Sequence, residues 1–179
     1  LTVIHDLNFV HFPQFLPAKY ARYWNRHTPA VVQVSDRIAT VSEYSKQDLI
    51  KTYSLSAHKI DVLCNGYSAH WKPFLENEKK AARDLFANGK QYWVYVGSIH
   101  PRKNLKRLLE AYELFRERHS ERIKLVAVGR MFWKNEELTA AMSAMKYAED
   151  IVFTGHLETQ ELTHVIGAAH ALMYVSYFE

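Results

Sequence analysis

The second half of the chain alternates short apolar segments with amphipathic ones, and this alternation most constrains the fold. Residues 91–96, aromatic and β-branched, predict a buried strand, and residues 103–118 have apolar side chains at helical spacing. Further strands are predicted over residues 123–128, 151–153 and 171–175, and helices over residues 136–147 and 160–169. Strands separated by helices of about 10 to 15 residues need crossover connections, so we expect a parallel sheet and an α/β fold.

The first half shows the same alternation in shorter segments. Strands are predicted over residues 2–4, 37–41 and 59–63, a helix over residues 18–34, a loop over residues 12–17 and a turn at Asn65-Gly66. Ser42 precedes another helix, and its hydroxyl can accept from the N–H groups at the helix start. Because no G-x-S-x-G surrounds Ser42, we interpret it as a helix cap near the acceptor and not as a nucleophile.

A polar segment divides the two halves. Residues 68–90 contain Pro73 and predict an interdomain linker followed by a short helix over residues 79–87. We therefore expect two domains, over residues 1–75 and 76–179. The chain starts at Leu1 and ends at Glu179, just after an apolar run, and we interpret it as a fragment in which both domains are incomplete.

Charge and cysteine content narrow the partners. The net charge of +4 suits an anionic partner such as a nucleotide phosphate, and the mixing of acids and bases argues against nucleic acid. Cys64 is the single cysteine, which excludes an intrachain disulfide and fits the cytoplasm. No apolar stretch reaches the roughly 18 residues that a membrane span needs.

Small and polar residues follow the predicted strands, where parallel α/β sheets bind ligands. After residues 91–96 come Gly97 and Ser98, and a short loop then brings Arg102 and Lys103 to the start of a helix. Glycine lets the backbone approach a ligand closely, and helix N–H groups with two cations suit a diphosphate. The same residues also fit a basic surface turn, and the segment matches neither a P-loop nor a dinucleotide fingerprint.

The segment YVGSIHPRKNLKRLLEAYELF resembles the start of the C-terminal domain in family-4 retaining glycosyltransferases of the GT-B fold. TVIHDL, the stretch from IATVSEYS to LCNGY, LVAVG, and the stretch from DIVFTGHL to VSYFE resemble further segments of the family in the same order. The resemblance covers essentially the whole chain. It implies two Rossmann-like domains with parallel sheets, the second of which binds the donor nucleotide.

The resemblance also implies catalytic roles. Lys103 matches a lysine on the donor diphosphate, and Arg102 beside it can share that task. Ser98 stands where the family often has arginine, so Arg102 would have to supply the second positive charge. Glu179 matches the first glutamate of the E-x7-E motif, near the donor sugar, and His5 matches a histidine near the transferred sugar.

Donor binding by backbone is implied at two loops. Gly97 and Ser98 would lie against the phosphates, and Gly155, His156 and Leu157 match a loop near the nucleotide base. The family uses no cofactor and no bound metal. His156, His164 and His170 show no metal-ligand spacing.

The expected reaction transfers a hexose from a UDP-, GDP- or ADP-sugar to a glycan or lipid-linked acceptor, in cell-envelope polysaccharide synthesis. Residues 19–34 combine basic and aromatic side chains and predict either an ordinary packed helix or peripheral contact with the inner face of an anionic membrane. Two alternatives stay open: an inactive fragment that only binds nucleotide, and another Rossmann-type protein such as an NAD-dependent epimerase. The absent G-x-G-x-x-G argues against the epimerase.

Overall fold

A computed structural model of the chain describes residues 1–72, 74–130 and 136–179. These residues divide into two compact units, the first made of Leu1–Tyr67 with Phe178–Glu179, the second of Ser68–Tyr177. The division falls eight residues before the predicted boundary between residues 75 and 76, and the last two residues group with the first unit. Pro73, part of the predicted linker, lies outside the described residues.

The described part of the first unit contains a parallel sheet in the order β1-β2-β3, which confirms the predicted strand direction. Its strands are β1 (Thr2–Val3), β2 (Ile38–Thr40) and β3 (Ile60–Val62), and its helices are α1 (Asn8–His11), α2 (Ala18–Val34) and α3 (Glu43–Tyr53). Apolar side chains from the helices and strands form one core, which includes Val32, Ile38, Leu49 and Ile60. Helix α2 has the predicted bounds.

Two predictions for the first unit were wrong. The predicted loop over residues 12–17 contains a short 3-10 helix, Pro13–Phe15, because proline fixes a φ angle that suits the first position of a helical turn. Asn65-Gly66 forms no turn, and the chain turns instead at Ala69 and His70. An Asn-Gly turn is favoured between antiparallel strands, and β3 is followed by no such partner in the described residues.

The second unit contains a parallel sheet in the order β6-β5-β4-β7. Its strands are β4 (Tyr92–Val96), β5 (Lys124–Val128), β6 (Ile151–Gly155) and β7 (Ala171–Leu172), and its helices are α4 (Glu76–Ala87), α5 (Leu105–Arg118), α6 (Glu136–Ala144) and α7 (Thr159–Gly167). Strand β6 continues to Gly155, two residues beyond the predicted strand over residues 151–153. Helix α6 and strand β7 each end three residues before their predicted ends.

Helices pack on both faces of the second sheet, which explains why its strands are mostly apolar. Successive side chains of a strand point to opposite faces, so Tyr95 packs with α5 and α6 while Tyr92 and Val94 pack with α4 and α7. At the amino end of the sheet, buried Arg116 donates to Asp150 and to the Tyr112 hydroxyl. Burial opposes the positive charge, but these hydrogen bonds outweigh it and raise the pKa of Arg116.

Candidate functional site

Three glycines lie side by side at the carboxyl edge of the second sheet. Gly97 donates its N–H to Val128 at 2.9 Å, and Gly129 donates to Gly155 at 2.8 Å. A β-carbon added at Gly129 would lie 1.8 Å from the carbonyl oxygen of Gly97, so no other residue fits there without movement. Gly155 has a left-handed φ of 72° and open space around it. Backbone, and not side chains, therefore forms this edge of the sheet.

The loop after β4 folds back over this edge. Tyr95 donates its hydroxyl to the carbonyl of Ser98 at 3.2 Å, and the Nδ1 atom of His100 accepts from the N–H of Arg102 at 3.2 Å. The loop closes in a 3-10 helix, Pro101–Lys103, and α5 begins only after Asn104. Arg102 and Lys103 therefore lie in the 3-10 helix that precedes α5. The helix predicted to begin at residue 103 begins at Leu105.

Lys103 lies beside the glycine edge. A β-carbon at Gly97 would be 3.8 Å from the Cδ atom of Lys103, so the stem of the lysine passes close to Gly97. Its ammonium lies 5.4 Å from the centre of the Tyr174 ring, a cation–π distance. Arg102 and Lys103 are both half-buried. The stem of Lys103 thus lies next to half-buried backbone at the end of β4, and Arg102 precedes it in the same 3-10 helix.

The segment that follows β7 is hydrogen-bonded to the loop after β4. Asn104 donates its side-chain amide to the carbonyl of Val175 at 3.0 Å, and Tyr177 donates its N–H to the carbonyl of Arg102 at 2.9 Å. Arg107 lies 5.5 Å from the centre of the Tyr177 ring. Since the first crossovers run from β4 to β5 to β6 and β7 lies on the other side of β4, the strand order reverses here. Ligands bind at such a reversal in open α/β sheets.

Sequence reasoning missed Asn104, Tyr174 and Tyr177. Asn104 has a left-handed φ of 60°, a conformation that asparagine tolerates better than most residues, and that signal was available in the sequence. The sequence contains no signal for its partner Val175, because the contact depends on β7 lying next to β4.

The predicted base-binding loop starts on the same edge. Gly155 ends β6, two strands away from β4, and His156 is exposed with its Nε2 atom 3.8 Å from the Glu158 carboxylate. Leu157 is half-buried and packs against the core under α4 and α7. Gly97 and Gly155 thus lie on one edge of the second sheet, and Ser98, Arg102 and Lys103 follow Gly97 in the same unit.

His5 and Glu179 belong to the first unit, unlike Lys103. His5 follows β1 and is exposed, and its neighbour Asp6 accepts from the N–H of Asn8 at 2.8 Å to start α1. Ser42 caps α3 as predicted, accepting from the N–H of Ser45 at 3.1 Å. Within the described ranges, no helix has the length and apolar character needed to cross a bilayer, and no three His, Cys, Asp or Glu side chains group as metal ligands.

A parallel α/β unit whose strand order reverses beside a glycine-lined edge has the architecture in which open α/β sheets bind ligands. Comparison with known families makes the class specific. Residues 76–179 match the family described as glycosyl transferases group 1. This chain belongs to that family, and its two parallel sheets are those of the GT-B fold. The match decides against the epimerase alternative.

Two curated bacterial relatives align with nearly the whole chain. O-antigen chain mannosyltransferase B of Escherichia coli is 24% identical over 100% of this chain and 47% of its own length. O-antigen chain mannosyltransferase RfbU of Salmonella typhimurium is 22% identical over 97% of this chain and 44% of its own length. The chain therefore spans about half the length of these relatives.

Solved structures share the fold at low identity. Sucrose-phosphate synthase from Thermosynechococcus elongatus superposes with a TM-score of 0.76 at 16% identity, over 99% of this chain and 44% of that one. Anabaena Alr3699/HepE, solved in complex with UDP and glucose, superposes with a TM-score of 0.72 at 14% identity, over 98% of this chain and 45% of that one.

Proposed function

We propose that the full-length protein is a family-4 retaining glycosyltransferase that moves a hexose from a nucleotide-diphosphate sugar to a glycan or lipid-linked acceptor. The observation that carries the proposal is the loop from Gly97 to Asn104, in which the Lys103 side chain passes close to the backbone-lined edge and Arg102 is its neighbour in the same 3-10 helix. The names of the two O-antigen mannosyltransferases support a hexose and a cell-envelope polysaccharide. The UDP complexes of HepE support a nucleotide-diphosphate donor, with UDP-, GDP- and ADP-sugars as the candidates.

The two cations suit the charge that develops during transfer. Glycosyl transfer passes through an oxocarbenium-like state while the departing nucleoside diphosphate gathers negative charge. Lys103 and Arg102 would stabilise that leaving group more in the transition state than in the bound donor. We propose that Arg102 makes up for Ser98, where the family often has arginine, and that departure needs no bound metal ion.

The remaining predicted residues take supporting roles in this proposal. The backbone of Gly97 and Ser98 lies against the phosphates, and Gly155, His156 and Leu157 lie near the base. His5 lies near the transferred sugar, and Glu179 near the donor sugar and diphosphate. The 179-residue chain without the rest of the protein would bind nucleotide weakly and transfer nothing.

Calorimetric titration of the full-length protein with UDP, GDP and ADP tests the donor site. Lys103→Ala should weaken binding of the preferred nucleotide by about 1–3 kcal/mol, the scale of a hydrogen bond to a charged group. Lys80→Ala is the matched control, because Lys80 is exposed on α4 and pairs with Asp84. Equal affinities for Lys103→Ala and wild type, or no binding of any of the three nucleotides, would remove the diphosphate site from this loop.

The surface of α2 supports a membrane-facing acceptor. Its aromatic side chains Tyr20, Tyr23 and Trp24 are 58%, 53% and 49% exposed. The helix contains no acidic residue, and its exposed cations are Lys19, Arg22 and Arg26. A basic helix with exposed aromatic rings suits an anionic lipid surface. We therefore place the reaction in the cytoplasm, at the inner face of the membrane.

Vesicle sedimentation of the full-length protein tests this contact. Arg22→Glu with Arg26→Glu should lower partition onto anionic vesicles at least tenfold, because each cation near such a surface contributes about 1 kcal/mol. The same pair of changes at Lys46 and Lys51 of α3 is the control. Binding that is unchanged, or that is equal on zwitterionic vesicles, would contradict the contact.

A further inference from the structure

The chain end groups with the first unit through the ring of Phe178. Its ring centre lies 5.5 Å from that of His11 and 5.6 Å from that of Phe12, and Tyr44 approaches it edge-on at 6.1 Å. Aromatic rings attract one another at these distances and tilts. Phe178 is half-buried, whereas its neighbour Glu179 is exposed.

The rings around Phe178 are themselves held in place. Phe12 stacks on Phe15 at 5.8 Å, with the two planes 9° apart. The Nε2 atom of His11 lies 2.8 and 2.9 Å from the two carboxylate oxygens of Asp48 on α3. Helices α1 and α3 and the 3-10 helix between α1 and α2 therefore surround the Phe178 ring. We call the residues His11, Phe12, Phe15 and Tyr44 the aromatic socket.

We propose that Phe178 is a positioning residue for Glu179, and that its ring in the aromatic socket sets where the Glu179 carboxylate is presented. Adjacent Cα atoms are about 3.8 Å apart, so anchoring the ring of one residue restricts the backbone of the next. This inference rests on the role proposed for Glu179 in the transfer reaction.

A positioning role makes a different prediction from a role in stability. Glu179 is exposed, whereas the Phe178 ring before it is half-buried among the rings of the aromatic socket. A displaced catalytic group lowers the rate of the chemical step, and a misplacement of about 1 Å can cost a factor of about 100. Loss of the Phe178 ring should therefore lower kcat while nucleotide affinity at Lys103 stays unchanged.

The experiment measures kcat and donor KM for Phe178→Leu in the full-length enzyme. We expect kcat to fall by about 10- to 100-fold, with donor KM and the unfolding midpoint close to those of wild type. Phe178→Tyr should restore most of the rate, because it keeps the ring. Tyr67→Leu is the matched control, since Tyr67 is an exposed aromatic residue of the same unit.

A double-mutant cycle with Glu179 then separates positioning from a general effect. If Phe178 acts through Glu179, Phe178→Leu should add little to the loss caused by Glu179→Ala. The cycle is repeated with Glu179→Asp, which keeps a carboxylate and so covers the case in which Glu179→Ala is too slow to measure.

Several results would overturn the positioning role. The first is a kcat for Phe178→Leu equal to that of wild type. The second is a double mutant whose loss of kcat is the full product of the losses caused by Phe178→Leu and by the Glu179 substitution. The third is a loss of kcat in Phe178→Leu that is accompanied by a lowered unfolding midpoint. If the wild-type enzyme transfers sugar and any of these results is found, the positioning role is removed and the transferase proposal stays intact. A wild-type protein that transfers no sugar would remove both.

Discussion

The two sheets of this chain end very differently at their carboxyl edges. In the second unit, Gly97, Gly129 and Gly155 lie in a row, and backbone groups line the edge. In the first unit, side chains occupy the corresponding edge, where Asp6 and Ser42 accept from the starts of α1 and α3. Both sheets are parallel, so the difference comes from the residues that follow each strand.

This difference teaches what each edge can bind. An edge made of glycine backbone lets a large, flat ligand come close, and nearby cations select for phosphate. An edge whose polar side chains already accept hydrogen bonds from backbone N–H groups keeps a shape that these bonds fix. The first edge carries the aromatic socket, which contacts Phe178, and an exposed His5 instead.

The largest effect is expected from a side chain placed in the glycine row. Gly129→Ala should lower the free energy of unfolding by about 3 kcal/mol or more, because its β-carbon would clash with the backbone carbonyl of Gly97. Denaturant unfolding of the full-length protein measures this loss. Gly66→Ala is the control in the first unit, since a β-carbon there would have nothing within 4 Å. Equal stability of the two variants would contradict the claim that the edge of the second sheet requires glycine.

A smaller effect is expected at the fastening of the post-β7 segment. Asn104→Gly keeps the left-handed backbone but removes the hydrogen bond to Val175, so nucleotide affinity should fall by about 1 kcal/mol. Titration with the preferred nucleotide diphosphate measures the change. An unaltered affinity would show that the loop holds its shape without β7.

The smallest effect on binding is expected in the first unit. Ser42→Ala should cost about 1 kcal/mol of stability, because α3 loses its cap, and should leave nucleotide affinity as in wild type. Thermal unfolding and calorimetry on the same samples separate the two quantities. Weaker nucleotide binding in Ser42→Ala would mean that the two edges do not differ as described.

Local signals in the sequence predicted much of the fold. Helix α2 has its predicted bounds, Ser42 caps α3, and the alternation of strands and helices predicted two parallel sheets. These features depend on neighbours within a few residues, through caps, apolar spacing and the length of a crossover helix. The loop from Gly97 to Lys103 could also be predicted, because a strand, a glycine and two cations follow one another within a short segment.

The features that only the tertiary structure decided all join residues far apart in sequence. The sequence predicted the strands but not that β7 pairs with β4, and Asn104 meets Val175 for that reason alone. The Asn65-Gly66 sequence favours a turn, but these residues form none in the parallel topology. The return of Phe178 to the rings of His11 and Phe12 likewise follows from packing. Such contacts depend on register and strand order, which local propensity does not encode.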